Sequence, residues 1–386
     1  MKKYFLTIVM TLFIFFVNGF SQNKEITIED IWKKYLFNPT GVSGFTPMPQ
    51  GDYYSVINKD GIASHSFQTG EKQRTILSKE ALEKASNNTL SIKDIRIYKL
   101  SNDEQRLLIG TAYESIYRRS FKAFYYVYDL TNNSITPLSD TTKGKQSFAD
   151  FSPDGTKVAF VRDNNLYMVD LINKKEIAIT NDGKFNHIIN AMADWVYEEE
   201  LSMAQAFSWS PNGKHIAFLR FDESRVKEFS MTMWGDLYPE EYRYKYPKAG
   251  EDNSLVDVFV YELNSGKKTQ IDMGDNDNIY IPRTYWLPNS NELIVLKMNR
   301  HQNKLEFYAY NLQNNSKRLV YNDENDAWLE VSDDYHFLND NKSMIVTSER
   351  NGYNHIYKVS FGGKIEALTS GKWEVNTICA IDEKKQ

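Results

Sequence analysis

The chain has one cysteine in 386 residues, Cys379, so no disulfide can form within it. Packing alone must hold the fold. Cys379 lies between Ile378 and Ala380 with no histidine paired to it in sequence. That is the setting of a buried structural thiol, not of a nucleophile. A basic excess is missing as well: 46 Lys and Arg face 51 Asp and Glu, for a net charge of −5. This balance offers no basic face and excludes nucleic acid from the expected partners. There is no His-Glu-x-x-His and no cysteine cluster, so neither a metal nor another cofactor is expected. Only one apolar run approaches the length of a membrane span, and it lies at the extreme N-terminus.

That run has the layout of an export signal. Lys2 and Lys3 supply a positive start, Tyr4–Val17 a short apolar stretch, and Gly19 and Ser21 the small residues ahead of a cut before Gln22. An uncleaved membrane anchor is the alternative. Cleavage would remove two lysines and no acid, taking the net charge from −5 to −7. Residues 1–21 are therefore expected to be a signal peptide, and the mature chain to be periplasmic or secreted and free of the membrane.

What the chain has in quantity is aromatic residues, 14% of the total, mostly Tyr and Phe. Such residues pack well on pleated surfaces and favour strands. Two short helices are expected. Thr27-Ile28-Glu29-Asp30 has the form of a capping box, followed by Ile31, Trp32, Tyr35 and Leu36 at helical spacing, with Asn38-Pro39 as the stop. Ser78–Ala85 is the second. Residues 22–44 thus form an N-terminal helical segment.

From residue 45 to 386 one pattern recurs: a turn, an apolar strand, a tight turn, and a second strand. Ser152-Pro153-Asp154-Gly155 introduces Val158–Val161 and Leu166–Leu171. Ser210-Pro211-Asn212-Gly213 introduces Ile216–Leu219, whose partner Val256–Leu263 is delayed by an insertion. Leu287-Pro288-Asn289 introduces Leu293–Leu296 and Leu305–Leu312. Leu338-Asn339-Asp340 introduces Met344–Val346 and His355–Phe361. A weaker copy, Ser101-Asn102-Asp103, introduces Leu107–Ile109 and Phe124–Leu130. Pro presets such a turn, Asp or Asn tolerates the left-handed region, and Gly completes the reversal. Copies start roughly 50 residues apart, the period of a β-propeller blade. The fold class is all-β, an incomplete propeller with a short N-terminal helix; a β-sandwich is the competing architecture. Five or six blades can be counted, and Trp373-Glu374-Val375 would open another just before the chain stops. An open ring leaves unpaired edges, so the sequence reads as truncated.

Alternation fails across Asn190–Glu200, which marks an insertion or short helix carrying Asp194-Trp195-Val196-Tyr197-Glu198-Glu199-Glu200. Neighbouring helical residues point about 100° apart, so Glu199 and Glu200 splay around one end of a site. Two carboxylates converging on an ammonium satisfy its charge and its donors. A solvated acidic surface is the plain alternative; Trp195 and Tyr197 argue against it by anchoring the segment.

This motif is similar to the double-glutamate motif of dipeptidyl peptidase IV enzymes, in the prolyl oligopeptidase family of serine peptidases. Phe207–Gly213, Tyr246–Gly250, Gly352–Ile356 and Leu368–Val375 also resemble that family, in order, from about Asp30 onward. The resemblance implies an eight-bladed propeller capping an α/β-hydrolase domain. It implies that Glu199 and Glu200 bind a peptide's free N-terminal amine, with Glu198 a bystander. Dipeptides would then be released, preferably after Pro or Ala. Arg118, just ahead of the strand at Phe124, matches an arginine that bonds a substrate carbonyl, a task suited to its fork of donors. Arg119 is one residue out of register with it, and either arginine could instead pair with Glu199 or Glu200. The aromatic insertion Arg225–Gly250 matches an extension that contacts a second subunit, giving a homodimer; a loop folded over its own blade is the alternative.

The catalytic part of such an enzyme is missing. No Gly-x-Ser-x-Gly occurs, Gly41-Val42-Ser43-Gly44 being mis-spaced, and no Asp and His follow in order. No catalytic residue is assigned. The chain reads as the gating, N-terminus-recognising propeller portion of an exported dipeptidyl peptidase, whose hydrolase domain would belong to the same full-length protein. The rival reading is a non-catalytic periplasmic propeller that binds peptides or a partner protein.

Overall fold

The computed structural model describes residues 25–39 and 44–385; the signal peptide expected over residues 1–21 lies outside them. The chain divides into two compact units, residues 1–45 and 46–386.

In the first unit the described helix is Ile28–Trp32. Thr27 caps it as the sequence implies: Asp30 N donates to Thr27 Oγ1 at 3.1 Å, and Thr27 N donates to the Asp30 carboxylate at 3.2 Å. The helix is shorter than its apolar spacing suggests, because Tyr35 takes a left-handed conformation (φ +49°) before Asn38-Pro39 is reached.

The second unit is built from antiparallel meanders, each running through its strands in chain order. The first sheet uses Phe45–Pro47, Tyr53–Asn58, Gly61–Ser66 and Lys72–Ser78. The second uses Ile97–Leu100, Arg106–Ser115, Phe121–Asp129 and Ser134–Pro137. The third uses Ser147–Phe151, Lys157–Arg162, Asn165–Asp170 and Lys175–Ala178. In the fourth, Ile188–Asn190 and Phe207–Trp209 both pair with His215–Asp222, followed by Leu255–Glu262 and Lys268–Ile271. The fifth is centred on Glu292–Asn299, Lys304–Asn311 and Ser316–Glu324, and the sixth on Tyr335–Phe337, Ser343–Ser348, His355–Ser360 and Ile365–Ala367. This is the blade construction of a β-propeller, as the repeats imply. The expected second helix is present as Lys79–Ala85, capped by Ser78.

The repeated turns are held by their own side chains. In the third sheet Ser152 Oγ donates to Asp154 Oδ1 (2.6 Å) and accepts from Lys157 N (3.0 Å), while Gly155 supplies φ +66°. Ser101 and Ser210 do the same in the second and fourth. Neighbouring turns interlock: Arg106 Nη1 donates to Gly155 O at 3.1 Å, and Asn212 N donates to Ser290 Oγ at 3.0 Å. Between the sheets the apolar faces merge into extended cores, the largest running from Phe148 to Val359 and including Phe218, Phe221, Phe307 and Tyr197.

Three details differ from the sequence reading. The first sheet has no Ser-Pro-Asp-Gly word; its tight turn is Asn58-Lys59-Asp60-Gly61, with Asp60 N donating to Asn58 Oδ1 at 2.8 Å. Trp373-Glu374-Val375 opens no strand: Trp373 packs edge-on to His355 and Val375 N bonds Asn354 O. Cys379 is exposed, not buried. Its stretch takes no place in a sheet, and Ile378 N is satisfied by the Asp334 side chain at 3.1 Å. Among the described residues no helix is long and apolar enough to cross a membrane.

Candidate functional site

The acidic motif sits in a loop that interrupts the first strand of the fourth sheet. The chain leaves the sheet at Ala191 (φ +64°) and returns at Ala206, whose N–H donates to Ala191 O at 2.9 Å. Within the loop, Trp195–Glu200 forms a helix capped by Asp194, whose Oδ1 accepts from Tyr197 N at 2.9 Å. Asp194 Oδ2 accepts from Ser254 Oγ at 2.6 Å, tying the cap to the sheet behind it. Burial pushes the Asp194 carboxyl above its ordinary range, against the pull of those hydrogen bonds. Tyr197 is buried edge-on to Phe221 and accepts from Ile281 N at 2.8 Å, while Trp195 packs on Tyr246. The aromatic residues of the motif therefore anchor it, as their presence in the sequence suggests.

The three glutamates go three ways. Glu198 is 0% exposed. Its Oε1 accepts from the backbone N–H of Arg119 (2.5 Å) and of Ser120 (2.8 Å), in the hairpin turn of the second sheet. Its other oxygen, Oε2, is buried without a hydrogen-bond partner. Glu199, with its side chain 19% exposed, receives Arg118 Nε at 3.0 Å. Glu200 is exposed, and among the described residues no hydrogen bond or ion pair engages its carboxylate. It lines a cavity of about 890 Å³ walled by Trp195, Phe229, Tyr244 and Tyr246, with Lys248 and Arg300 also on its wall.

Arg118 reaches Glu199 from the turn between Arg106–Ser115 and Phe121–Asp129. That hairpin is bent by a bulge at Ala112 (φ +49°), a device that re-aims the end of a strand pair. Arg119 does not compete for Glu199. Its guanidinium donates to Glu198 O at 3.0 Å and to Ser202 Oγ at 3.1 Å. Of the three candidates, Arg118 and Glu199 are thus brought together, and Glu200 takes its place beside the aromatic cavity. The sequence reading did not single out two buried carboxyls of this region. Glu198 is a buried anchor, which its unremarkable place in an acidic triplet does not betray. Glu223 is buried beside Asp194 and Tyr117, with its carboxyl pushed up to about 8, chiefly by burial and next by the charge of Asp194, while Lys245 pulls the other way. A glutamate just past a strand end, next to Asp222, carries no signal of its burial or of its raised pKa.

Around the loop stands the insertion of the fourth sheet. Glu228–Met233 and Glu240–Lys245 pair with each other as a separate two-stranded hairpin. Its base is aromatic, with Tyr242, Tyr244, Tyr246 and Phe229 in contact, and its tip exposes Trp234, Leu237 and Tyr238 by 80–92%.

Residues 101–386 match the family model described as the dipeptidyl peptidase IV (DPP IV) N-terminal region. Dipeptidyl peptidase 4 of Trichophyton rubrum is 30% identical over 382 residues, covering 94% of this chain and 48% of that protein. Dipeptidyl aminopeptidase B of Saccharomyces cerevisiae is 32% identical over 294 residues, covering 71% of this chain and 35% of that protein. The crystal structure of Porphyromonas gingivalis dipeptidyl peptidase 4 superposes with a TM-score of 0.87 at 34% identity, covering 94% of this chain and 51% of that one. The chain spans about half the length of the curated relatives it matches.

Proposed function

The chain belongs to the family of dipeptidyl peptidase IV N-terminal regions, and from that premise we propose that it recognises the free N-terminus of peptides for an exported serine-type dipeptidyl peptidase. Glu199 and Glu200 would take the α-ammonium group and Arg118 the first carbonyl oxygen. A hydrolase domain of the full-length protein would supply the Ser, His and Asp for acyl transfer, releasing Xaa-Pro or Xaa-Ala dipeptides. The propeller would act as gate and ruler. The exposed tip of the Glu228–Lys245 hairpin would meet a second copy of the chain.

One observation carries this reading. Arg118 and Glu199, 81 residues apart in sequence, form a 3.0 Å ion pair at the edge of a loop whose next residue, Glu200, carries a carboxylate that no ion pair or hydrogen bond engages among the described residues. Cation and anion are both partly open to solvent, so an incoming ammonium can take Glu199 while the freed guanidinium turns to a carbonyl. The aromatic anchors and the Asp194 cap hold the helix in place while this exchange occurs.

The test is kinetic, in the full-length protein with a Gly-Pro anilide. Glu199→Gln and Glu200→Gln should each lower kcat/KM by roughly 100-fold or more, because a desolvated ammonium loses a charge partner. Unchanged kinetics in both variants would reduce the carboxylates to surface charge. The 386-residue chain itself, with no Gly-x-Ser-x-Gly, should release no anilide.

A further inference from the structure

We infer that Glu198 is a positioning residue: it sets Arg118 against Glu199 without touching substrate itself. The inference rests on the reading of Arg118 and Glu199 proposed above. A carboxylate taken wholly out of water needs compensation, and Glu198 draws it from backbone. Its Oε1 accepts from the N–H groups of Arg119 and Ser120 at 2.5 and 2.8 Å. Those two amides lie in the turn just before the hairpin's own pairing resumes at Ser115 and Phe121. The remaining oxygen, Oε2, is buried and has no hydrogen-bond partner among the described residues, so there the side chain's hydrogen bonding goes to the hairpin.

A second strap runs the other way. Arg119 Nη1 donates at 3.0 Å to Glu198 O, one of the last-turn carbonyls that a helix cannot satisfy itself. Nη2 donates at 3.1 Å to Ser202 Oγ, just beyond the helix. Glu198 and Arg119 therefore clasp each other through side chain to backbone in both directions. Arg118 immediately precedes the clamped residues on one side, and Glu199 immediately follows Glu198 on the other. The 3.0 Å pair of Arg118 and Glu199 is the outer edge of this clasp. Arg118, with its side chain 71% exposed, has little other packing to hold it there. Charge-assisted bonds to backbone amides are the strong kind, and removing the acceptor strands the buried N–H of Ser120 and the part-buried N–H of Arg119.

The experiment uses the 386-residue chain. Wild type, Glu198→Ala, Glu198→Gln and Glu199→Gln are titrated calorimetrically with a Gly-Pro-Gly peptide and with its Nα-acetyl form. Amide hydrogen exchange at Arg119 and Ser120 is followed in parallel. Glu198→Ala should speed that exchange about tenfold or more and cut the preference for the free amine at least about tenfold. Glu198→Gln keeps a carbonyl oxygen for both N–H groups and should hold the preference within about threefold of wild type. If Glu198→Ala does not fold, Glu198→Asp, one methylene short, takes its place. A full preference in the Ala or Asp variant overturns the inference. So does a loss in Glu198→Gln as complete as in Glu199→Gln, which would put the charge of Glu198 inside the site. If wild type shows no preference, the reading of Glu199 fails; the clasp is then judged by exchange alone, faster in Glu198→Ala upholding it and unchanged overturning it.

Discussion

A partly exposed ion pair such as Arg118–Glu199 is worth ~1 kcal/mol or less to stability, so opening it for a ligand costs the fold little. The buried carboxyls behind it are another matter. Glu223 has its pKa raised from an ordinary 4.5 to about 8 by burial and by Asp194. Between those values the folded chain keeps a proton that the unfolded chain has released, so stability falls as pH rises through that window and levels off above it. At ~1.4 kcal/mol per pH unit the effect is on the order of a few kcal/mol. Glu223→Gln, neutral at every pH, should lose less stability than wild type between about pH 5.5 and about pH 8.5 in urea titrations; parallel curves would show that Glu223 is already ionised. At this scale the sequence was partly legible. The glutamate triplet stood out by itself, and the family resemblance singled out Glu199, Glu200 and Arg118 within and beside it; the structure pairs Arg118 with Glu199 at 3.0 Å. Glu198 and Glu223 stayed hidden because their roles depend on backbone and burial contributed by distant segments. Cys379 was misjudged because apolar neighbours do not by themselves make a buried layer.

The blade turn is the element that the sequence displayed best, because its chemistry is local. Ser, Asp or Asn, and a left-handed fourth residue (Gly155, Gly213 or, in the weaker copy, Glu104) make the whole motif, and the serine is buried to 0–1% exposure in three copies, Ser101, Ser152 and Ser210. Ser152→Ala strips the acceptor from Lys157 N and should cost ~1–2 kcal/mol. Gly155→Ala should cost at least as much: its φ of +66° disfavours a side chain, and a Cβ there would lie 3.2 Å from Ser101 Cβ in the adjacent turn. Urea midpoints of both variants within experimental error of wild type would mean that these turns only decorate the sheets. The first sheet escaped the sequence reading for the same reason that the others were found. Its turn, Asn58-Lys59-Asp60-Gly61, uses different local chemistry, and its pairing with Lys72–Ser78 is irregular, with two register shifts.

On the scale of the whole molecule, the meander sheets give a scaffold from which two extensions depart, both in the fourth sheet: the acidic loop in its first strand and the hairpin after its second. Trp234, Leu237 and Tyr238 at the hairpin tip are 80–92% exposed, and the dimer proposed above would cover them. If that surface is a second copy, Trp234→Ser with Leu237→Asp should convert a dimer to a monomer in sedimentation velocity, with the far-ultraviolet spectrum unchanged; a monomeric wild type would rule the dimer out. Whether the acidic loop reads a free N-terminus is decided by calorimetric titration of the wild-type chain with Gly-Pro-Gly and with Nα-acetyl-Gly-Pro-Gly. A loop that holds the α-ammonium group binds the free amine at least about tenfold more tightly. Equal binding of the two peptides, or none of either at millimolar concentration, would contradict it.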